Sequence, residues 1–527
     1  MADLLSFSDE VLCRILGSIS KVKDLHNVML VCHRFLHVIK SYNRLWKFEK
    51  KVKNMLQGLS SKYFLIGEPS LVEVENMVNS ESHAPDEWME SVLQNEIFNQ
   101  NLNENLTTRF YARKMLRYFR SCVIEKKLKH LMDLPESQKS ILEGAVLISQ
   151  WVQTEQEHLI SLIEVELKLE DITKCVKQHL VEKSDTFTAK EILECINKVL
   201  YREMEFKVMQ SDYSFEYFFI DKVLESRIGF PVTLCIIYRE VAKRMGIYCE
   251  PVLPPKILLH RFYLKWNANP NLAGDTDCNQ LIDPANGGSL HYFHPTTCPV
   301  VSTKEFLQRM VEYMRRIRLQ SIRSGRREGR DRTHFQRRRN ELCFSRLACA
   351  VSPDQTSSIL LYAHLCLDLD VQLEDAVRLL QQVETLHDHR LMEKCIQKLN
   401  QKNSLVTKKV KFAHQKVIHL RSSSVKYAVG LVMIYKDSAC KPPLLCVIDS
   451  WTHHDPDRIF YNVLFDDGDS SFVAEDNLKL NTNVSFVSSH PNIGLSFERF
   501  NGRRYISNAE MMTLFPDDEA FALSLVG

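Results

Sequence analysis

No run of apolar residues in this chain approaches the roughly eighteen that a membrane span requires, and its first residues lack the basic stretch and apolar core of a secretory leader. A soluble, non-secreted protein is the expectation. Charge of one sign is also missing: 68 Lys plus Arg stand against 66 Asp plus Glu, a formal net of +2. Such a balance provides no global field to draw the chain onto nucleic acid, membrane or an acidic substrate. The 15 cysteines form no CxxC pair and no Cys/His cluster at zinc spacing. Reduced, mostly buried thiols follow, with the cytoplasm and/or the nucleus as compartment, and nothing points to a cofactor. Glycine and proline are sparse from about Lys50 to Leu200, where Leu, Glu and Lys dominate and the pattern is helical. At 527 residues the chain exceeds what one core serves, and three or four domains are expected.

The most informative stretch is the first fifty residues. Val11, Leu12, Ile15 and Leu16 recur on one face of a helix, with Ser8 and Asp9 ahead of them to cap its first turn. Leu25, Val28, Met29, Val31, Cys32 and Phe35 form a second stripe, and Leu45 with Trp46 ends a third. A segment this short buries too little surface to stand alone, so its apolar faces require a partner. In order and spacing these residues resemble an F-box, with Phe7-Ser8 standing where the family usually has Leu-Pro. The resemblance implies a three-helix domain bound to Skp1, and through Skp1 to a cullin scaffold and RING subunit. It places Leu12, Ile15, Leu16, Leu25, Val31, Cys32, Phe35, Leu45 and Trp46 at the Skp1 interface.

In the middle of the chain, Gly144 and Ala145 interrupt an apolar stripe and allow close helix packing. Gly229 and Pro231 predict a bend followed by a helix that stops near Gly246. The segments Leu142 to Gln150, Tyr201 to Phe206 and Val223 to Leu234 together resemble a transglutaminase-like domain over roughly Thr107 to Asn400. That chemistry needs a thiolate at a helix N-terminus, a histidine on the next strand and an Asp or Asn to orient it. Val232 stands at the thiolate position and Lys256 at the base position, while Asp283, in the Asp-Pro-Ala-Asn-Gly-Gly loop, fills the third. An orienting group without nucleophile or base is no active site, so an inactive scaffold is expected, with no catalytic residue. Cys235, one turn further along the helix, reads as a buried core thiol.

From Arg309 to Arg339 the sequence is dense in arginine, as in Arg315-Arg316-Ile317-Arg318 and Arg337-Arg338-Arg339, and reads as a solvated linker. Helical pattern resumes at Ile359 to Cys366 and Asp375 to Leu380, resembling a tetratricopeptide hairpin that must pack on preceding helices.

Beyond Leu420 the period changes to that of strands, with turns at Lys441-Pro442-Pro443, His453-His454-Asp455-Pro456 and Asp466-Asp467-Gly468-Asp469. Four or five short strands predict a small SH3-like barrel. Val447 to Trp451, Phe460 to Leu464 and Ala474 to Leu478 resemble the YccV-like, or hemimethylated-DNA-binding, domain. Yet from Val425 to Ala520 there are 14 Asp plus Glu against 8 Lys plus Arg, a net of −6. This is the wrong sign for phosphate. Trp451, Tyr461 and Phe465, taken as exposed aromatics beside acidic turns, suit a basic peptide instead. The hairpin tip at His453 reads as polar surface, not a metal site.

The expected architecture is multidomain and mostly α. It comprises an F-box over 1–50, an α+β degenerate transglutaminase-like middle with helices over 51–300, an arginine-rich linker and tetratricopeptide-like helices over 301–420, and the β domain over 421–527. The three resemblances together imply a non-catalytic substrate-recognition subunit of a Skp1–cullin–F-box ubiquitin ligase that promotes degradation of bound proteins. Neither DNA nor membrane is an expected partner. Two other classes remain open: a thiol enzyme using Cys235 with His260, and a chromatin factor acting through the arginine-rich stretch and the tail.

Overall fold

The computed structural model describes residues 7–19, 21–42, 44–63, 86–98, 105–181, 187–209, 215–254, 260–266, 280–292, 299–324, 330–383, 386–411, 418–436, 444–455, 458–466, 468, 470–481 and 490–526. Contacts divide the chain into two compact units: Arg120–Asn400, and Met1–Phe119 together with Gln401–Gly527.

The Arg120–Asn400 unit is a helical body that carries, among the described residues, a two-stranded and a four-stranded sheet. Its helices Ile141–Val152, Leu162–Val181 and Ala189–Asn197 each begin on a recognisable signal. Ser140 accepts from the Glu143 amide, Ser161 pairs reciprocally with Glu164, and Thr188 forms a full capping box with Glu191. Gly144 matters as expected: a methyl group there would collide with the Leu307 side chain, so the helix Thr303–Ser324 approaches the backbone directly. Strands β1 (Lys207–Val208) and β2 (Ile228–Gly229) form a short parallel pair. The helix Pro231–Arg244 follows, opening on proline, and the chain leaves it through Gly246 at φ +81°. It is the most thoroughly buried helix of the unit, with Val232, Leu234, Cys235, Ile236, Tyr238 and Val241 all in the core.

Strands β3 (Cys249–Val252), β4 (Tyr263–Trp266), β5 (Gln280–Asp283) and β6 (Ser289–Tyr292) make an antiparallel sheet in sequential order. A 3-10 turn, Pro284–Asn286, joins β5 to β6, with Gly287 and Gly288 at positive φ.

The stretch read as a linker is helical. Thr303–Ser324 and Arg330–Val351 are two paired helices. Phe306, Leu307, Met310, Val311, Met314 and Ile317 recur at i, i+3 and i+4 between the arginines and are buried, so the segment is amphipathic and not linker-like. Beyond this segment lie the two helices Thr356–Leu369 and Leu373–Leu380. They are fastened to the preceding helices through the buried Arg346, which pairs with Glu125 at 2.7 Å and with Asp375 at 2.6 Å.

The second unit holds both ends of the chain. Its N-terminal helices are Asp9–Gly17, Val22–Met29, His33–Tyr42, Arg44–Tyr63 and Asp86–Phe98. The second apolar stripe is therefore split between two helices, and Leu45 with Trp46 opens a fourth helix instead of closing a third. In the C-terminal part, β7 (Val432–Tyr435), β8 (Leu444–Asp455), β9 (Arg458–Phe465), β10 (Ser470–Ala474) and β11 (Leu478–Leu480) form a five-stranded antiparallel sheet in the order β10-β9-β8-β7-β11. A 3-10 turn at Glu475–Asn477 brings β11 back onto β7. A hairpin of β12 (Phe497–Phe500) and β13 (Tyr505–Ser507) and the helices Ala509–Leu514 and Asp518–Val526 complete it.

Candidate functional site

At the N-terminus, the interface residues expected from sequence fall into two groups. Leu12, Leu16, Leu25 and Phe35 are buried, so they build the core instead of presenting a surface. Ile15 and Val31 are 42 % and 47 % exposed, and Phe7, Val11 and Leu30 are exposed beside them in sequence. Val11 and Ile15 lie one turn apart on the first helix. Arg34 ties its start to the third helix, donating to the Asp9 carboxylate at 2.9 Å and to the Phe7 carbonyl at 2.7 Å. Leu30 lies outside the expected interface set, because the apolar stripe is not one continuous helix: the helix ends at Met29, and Leu30 and Val31 fall in the turn. Cys32 is half-buried, its sulfur accepting from the Phe35 amide. Trp46, also half-buried, packs edge-on against His26 at 5.5 Å. The side chain of Leu45 lies outside the described residues.

In the transglutaminase-like region, Val232 is fully buried one residue into its helix, and no ionisable group occupies the thiolate position. Cys235 is fully buried too, and burial pushes its thiol far above the ordinary range. Lys256 lies outside the described residues. His260 is exposed in the turn ahead of β4 and not on a strand, its pKa lowered by partial burial and the neighbouring Arg261. Among the described residues no hydrogen bond joins Cys235 to His260.

Asp283 is buried at the end of β5 and accepts from the Ala285 amide at 3.1 Å. Burial raises its pKa, and the Ala285 amide, Arg261 and His291 counter that rise. Arg261 Nη1 and His291 Nε2 stand 3.7 and 3.9 Å from its Oδ2. Ser289 Oγ meets the same His291 Nε2 at 2.9 Å. One nitrogen thus faces both Ser289 and Asp283, so no relay runs through the ring from carboxylate to hydroxyl. Tyr201 donates to the Pro284 carbonyl at 2.7 Å and Asn197 to the Gly288 carbonyl at 3.1 Å, pinning the loop. The sequence offered no sign of Arg261, Ser289 and His291, because their meeting depends on the β4-β5-β6 register.

The tail corrects another expectation. Trp451, Tyr461 and Phe465 are core residues, not an exposed aromatic surface. Trp451 Nε1 donates to Asp518 at 2.9 Å, Tyr461 OH donates to Glu475 at 3.2 Å, and Phe465 packs edge-on against Tyr435. The odd-numbered positions of β9 face inward, and that parity buries Tyr461 and Phe465 together. Among the described residues of the tail, Phe472 is the exposed aromatic. Among the described residues no group of three or more His, Cys, Asp or Glu is arranged to hold a metal ion, and no helix is long and apolar enough to cross a membrane.

Comparison with known proteins adds two findings. Residues 163–312 match the model of the transglutaminase-like superfamily. Over nearly its whole length, the chain also matches three curated mammalian proteins. It is similar to F-box only protein 21. Identity is 26 % to the mouse protein (Mus musculus), over 99 % of this chain and 94 % of the relative. It is 26 % to the human and orangutan (Homo sapiens, Pongo abelii) proteins, over 93 % of this chain and 83 % of each relative. No solved structure matches.

Proposed function

We propose that this chain is a substrate-recognition subunit of a Skp1–cullin–F-box ubiquitin ligase. The observation that carries the reading is the set of exposed apolar residues, Phe7, Val11, Ile15, Leu30 and Val31, on a terminal helical segment whose core is complete without them. Solvent-facing side chains of this kind, in a segment similar to an F-box protein, are suited to the groove of a helical partner such as Skp1. The cullin scaffold and RING subunit would join through Skp1, with the other domains holding the protein to be ubiquitinated and degraded.

In this role the chain performs no bond chemistry. It raises the local concentration of substrate beside a ubiquitin-loaded enzyme, so tethering supplies the rate. The burial of Val232 and Cys235 supports an inactive transglutaminase-like domain retained as scaffold. The β domain is read as a YccV-like, SH3-like barrel, supported by a four-strand meander that returns through a 3-10 turn to its own first strand. Its acidic balance argues for a protein ligand over DNA. The cytoplasm and/or the nucleus is the proposed location.

The test is co-purification of the full chain with Skp1, followed by a blot for cullin, for the parent and for an Ile15→Asp/Val31→Asp variant. Both side chains face solvent, so the variant keeps its fold, yet a buried carboxylate at such an interface costs several kcal/mol, about a hundredfold or more in binding. Retention by the parent with loss by the variant supports the adaptor role; retention by neither discards it.

A further inference from the structure

Five strands in the order β10-β9-β8-β7-β11 leave two edges, and they are built differently. β11 is three residues long, with Lys479 exposed on it. Short edges bearing lysine are guarded against further pairing. β10 lacks that protection. It runs five residues, Ser470–Ala474, without proline or lysine, and pairs with β9 in unbroken register from Ser470↔Leu464 to Ala474↔Phe460. The β8–β9 ladder, by contrast, shifts at Ile448/Ser450 and again at His453/Asp455. Among the described residues β9 is the strand that β10 pairs with, so its other edge presents a regular row of backbone donors and acceptors.

On that edge Phe472 is 66 % exposed, although Val473 beside it is buried. An aromatic ring held open on a flat edge is a template for another strand. The charge around it then selects the occupant. From Ile459 to Leu478 the sequence carries Asp466, Asp467, Asp469, Glu475 and Asp476 and no lysine or arginine. Two copies of this edge would bring carboxylates together, which disfavours self-pairing, whereas a cationic strand would be drawn in. Glu475 is engaged within the chain, its Oε1 with Lys426 at 2.6 Å and its Oε2 with Tyr461 at 3.2 Å, so Asp476 is the exposed carboxylate at that end.

We propose that the open edge of β10 docks an extended, lysine- or arginine-rich segment of a protein partner. The segment adds to the sheet as a sixth strand, with aliphatic stems over Phe472 and a cationic head toward Asp476. Main-chain hydrogen bonds supply affinity, and the alternation of its side chains supplies selectivity. This assignment does not rest on the adaptor reading, because it requires neither Skp1 nor any ligase component.

The experiment measures fluorescence anisotropy of a labelled peptide alternating lysine and valine, titrated with the full chain. A second peptide, identical but N-methylated at alternate residues, keeps the charge and side chains while removing its pairing edge. Expected are salt-sensitive binding of the first peptide and loss of binding by the second. Phe472→Ala and Asp476→Lys should each weaken binding about tenfold, while Leu420→Ala, at an exposed residue elsewhere, leaves it unchanged. Phe472→Ala removes solvent-facing surface, so its melting temperature stays at the parent value and the loss reads on binding alone. Equal binding of the N-methylated peptide, undiminished binding by Phe472→Ala, a Phe472-dependent dimer in light scattering, or no binding by the parent would each overturn the proposal.

Discussion

Asn508 donates its side-chain amide to the hydroxyl of Thr107 at 3.2 Å in a buried contact between residues 401 positions apart in sequence. The same amide reaches the Leu495 carbonyl at 2.8 Å, while its oxygen caps the helix Ala509–Leu514 by accepting from Met511. Thr107 in turn donates to the Phe497 carbonyl at 3.0 Å. The first turn of the helix Leu106–Asp133 is thereby bonded into the C-terminal part of its own unit. Gly494 belongs to this contact, because a methyl group there would collide with the Leu106 carbonyl.

Asn508→Ala should therefore destabilise the chain by about 2 kcal/mol, the sum of a lost cap and buried groups left unsatisfied. Thr107→Val, which keeps the shape but not the hydroxyl, should cost about 1 kcal/mol. Urea denaturation followed by tryptophan fluorescence reads both. Values within a few tenths of a kcal/mol of the parent would show that the contact contributes nothing.

Cys235 should resist alkylation. Its thiol is enclosed and its pKa pushed far up by burial, so the reactive thiolate is scarce at pH 8. Iodoacetamide followed by peptide mass spectrometry should leave Cys235 unmodified in the native chain and modify it in urea. Rapid native labelling of Cys235 would restore the thiol-enzyme reading.

Asp449 should make the tail sensitive to pH. Its carboxylate accepts from Ser496 and Asn462, yet burial outweighs both bonds and raises its pKa. The folded state then holds the proton more tightly than the unfolded one. Its contribution is complete below the ordinary carboxylate range and is lost as pH rises through the folded value. Asp449→Asn should accordingly raise the melting temperature near neutral pH, and the gain should vanish on acidification. A gain independent of pH between 4 and 8 would show that Asp449 does not titrate with a raised pKa.

Much of the local structure was legible in the residues themselves. Ser8 marked a helix start, Pro231 and Gly246 bounded a helix, and the change from helical to strand period past Leu420 announced the sheet. These signals act over a few residues, where backbone geometry and capping chemistry decide the outcome. In the arginine-rich stretch the density of charge masks an apolar period that runs between the arginines. Cys235 could be placed inside a core from its neighbours on the helix alone.

Which side of an element meets solvent was decided only when the elements packed. Leu12 and Ile15 belong to one apolar stripe, yet one is enclosed and the other exposed, because the stripe is wider than the neighbouring helices cover. The same holds for Trp451 and Phe472: composition marks both as aromatics near acidic turns, but strand parity and position in the sheet bury the first and leave the second at an edge. Sequence thus determined which segments form helices and strands, since propensity and period are local. Tertiary structure alone decided which side chains remain available to a partner, because exposure is a property of what lies opposite.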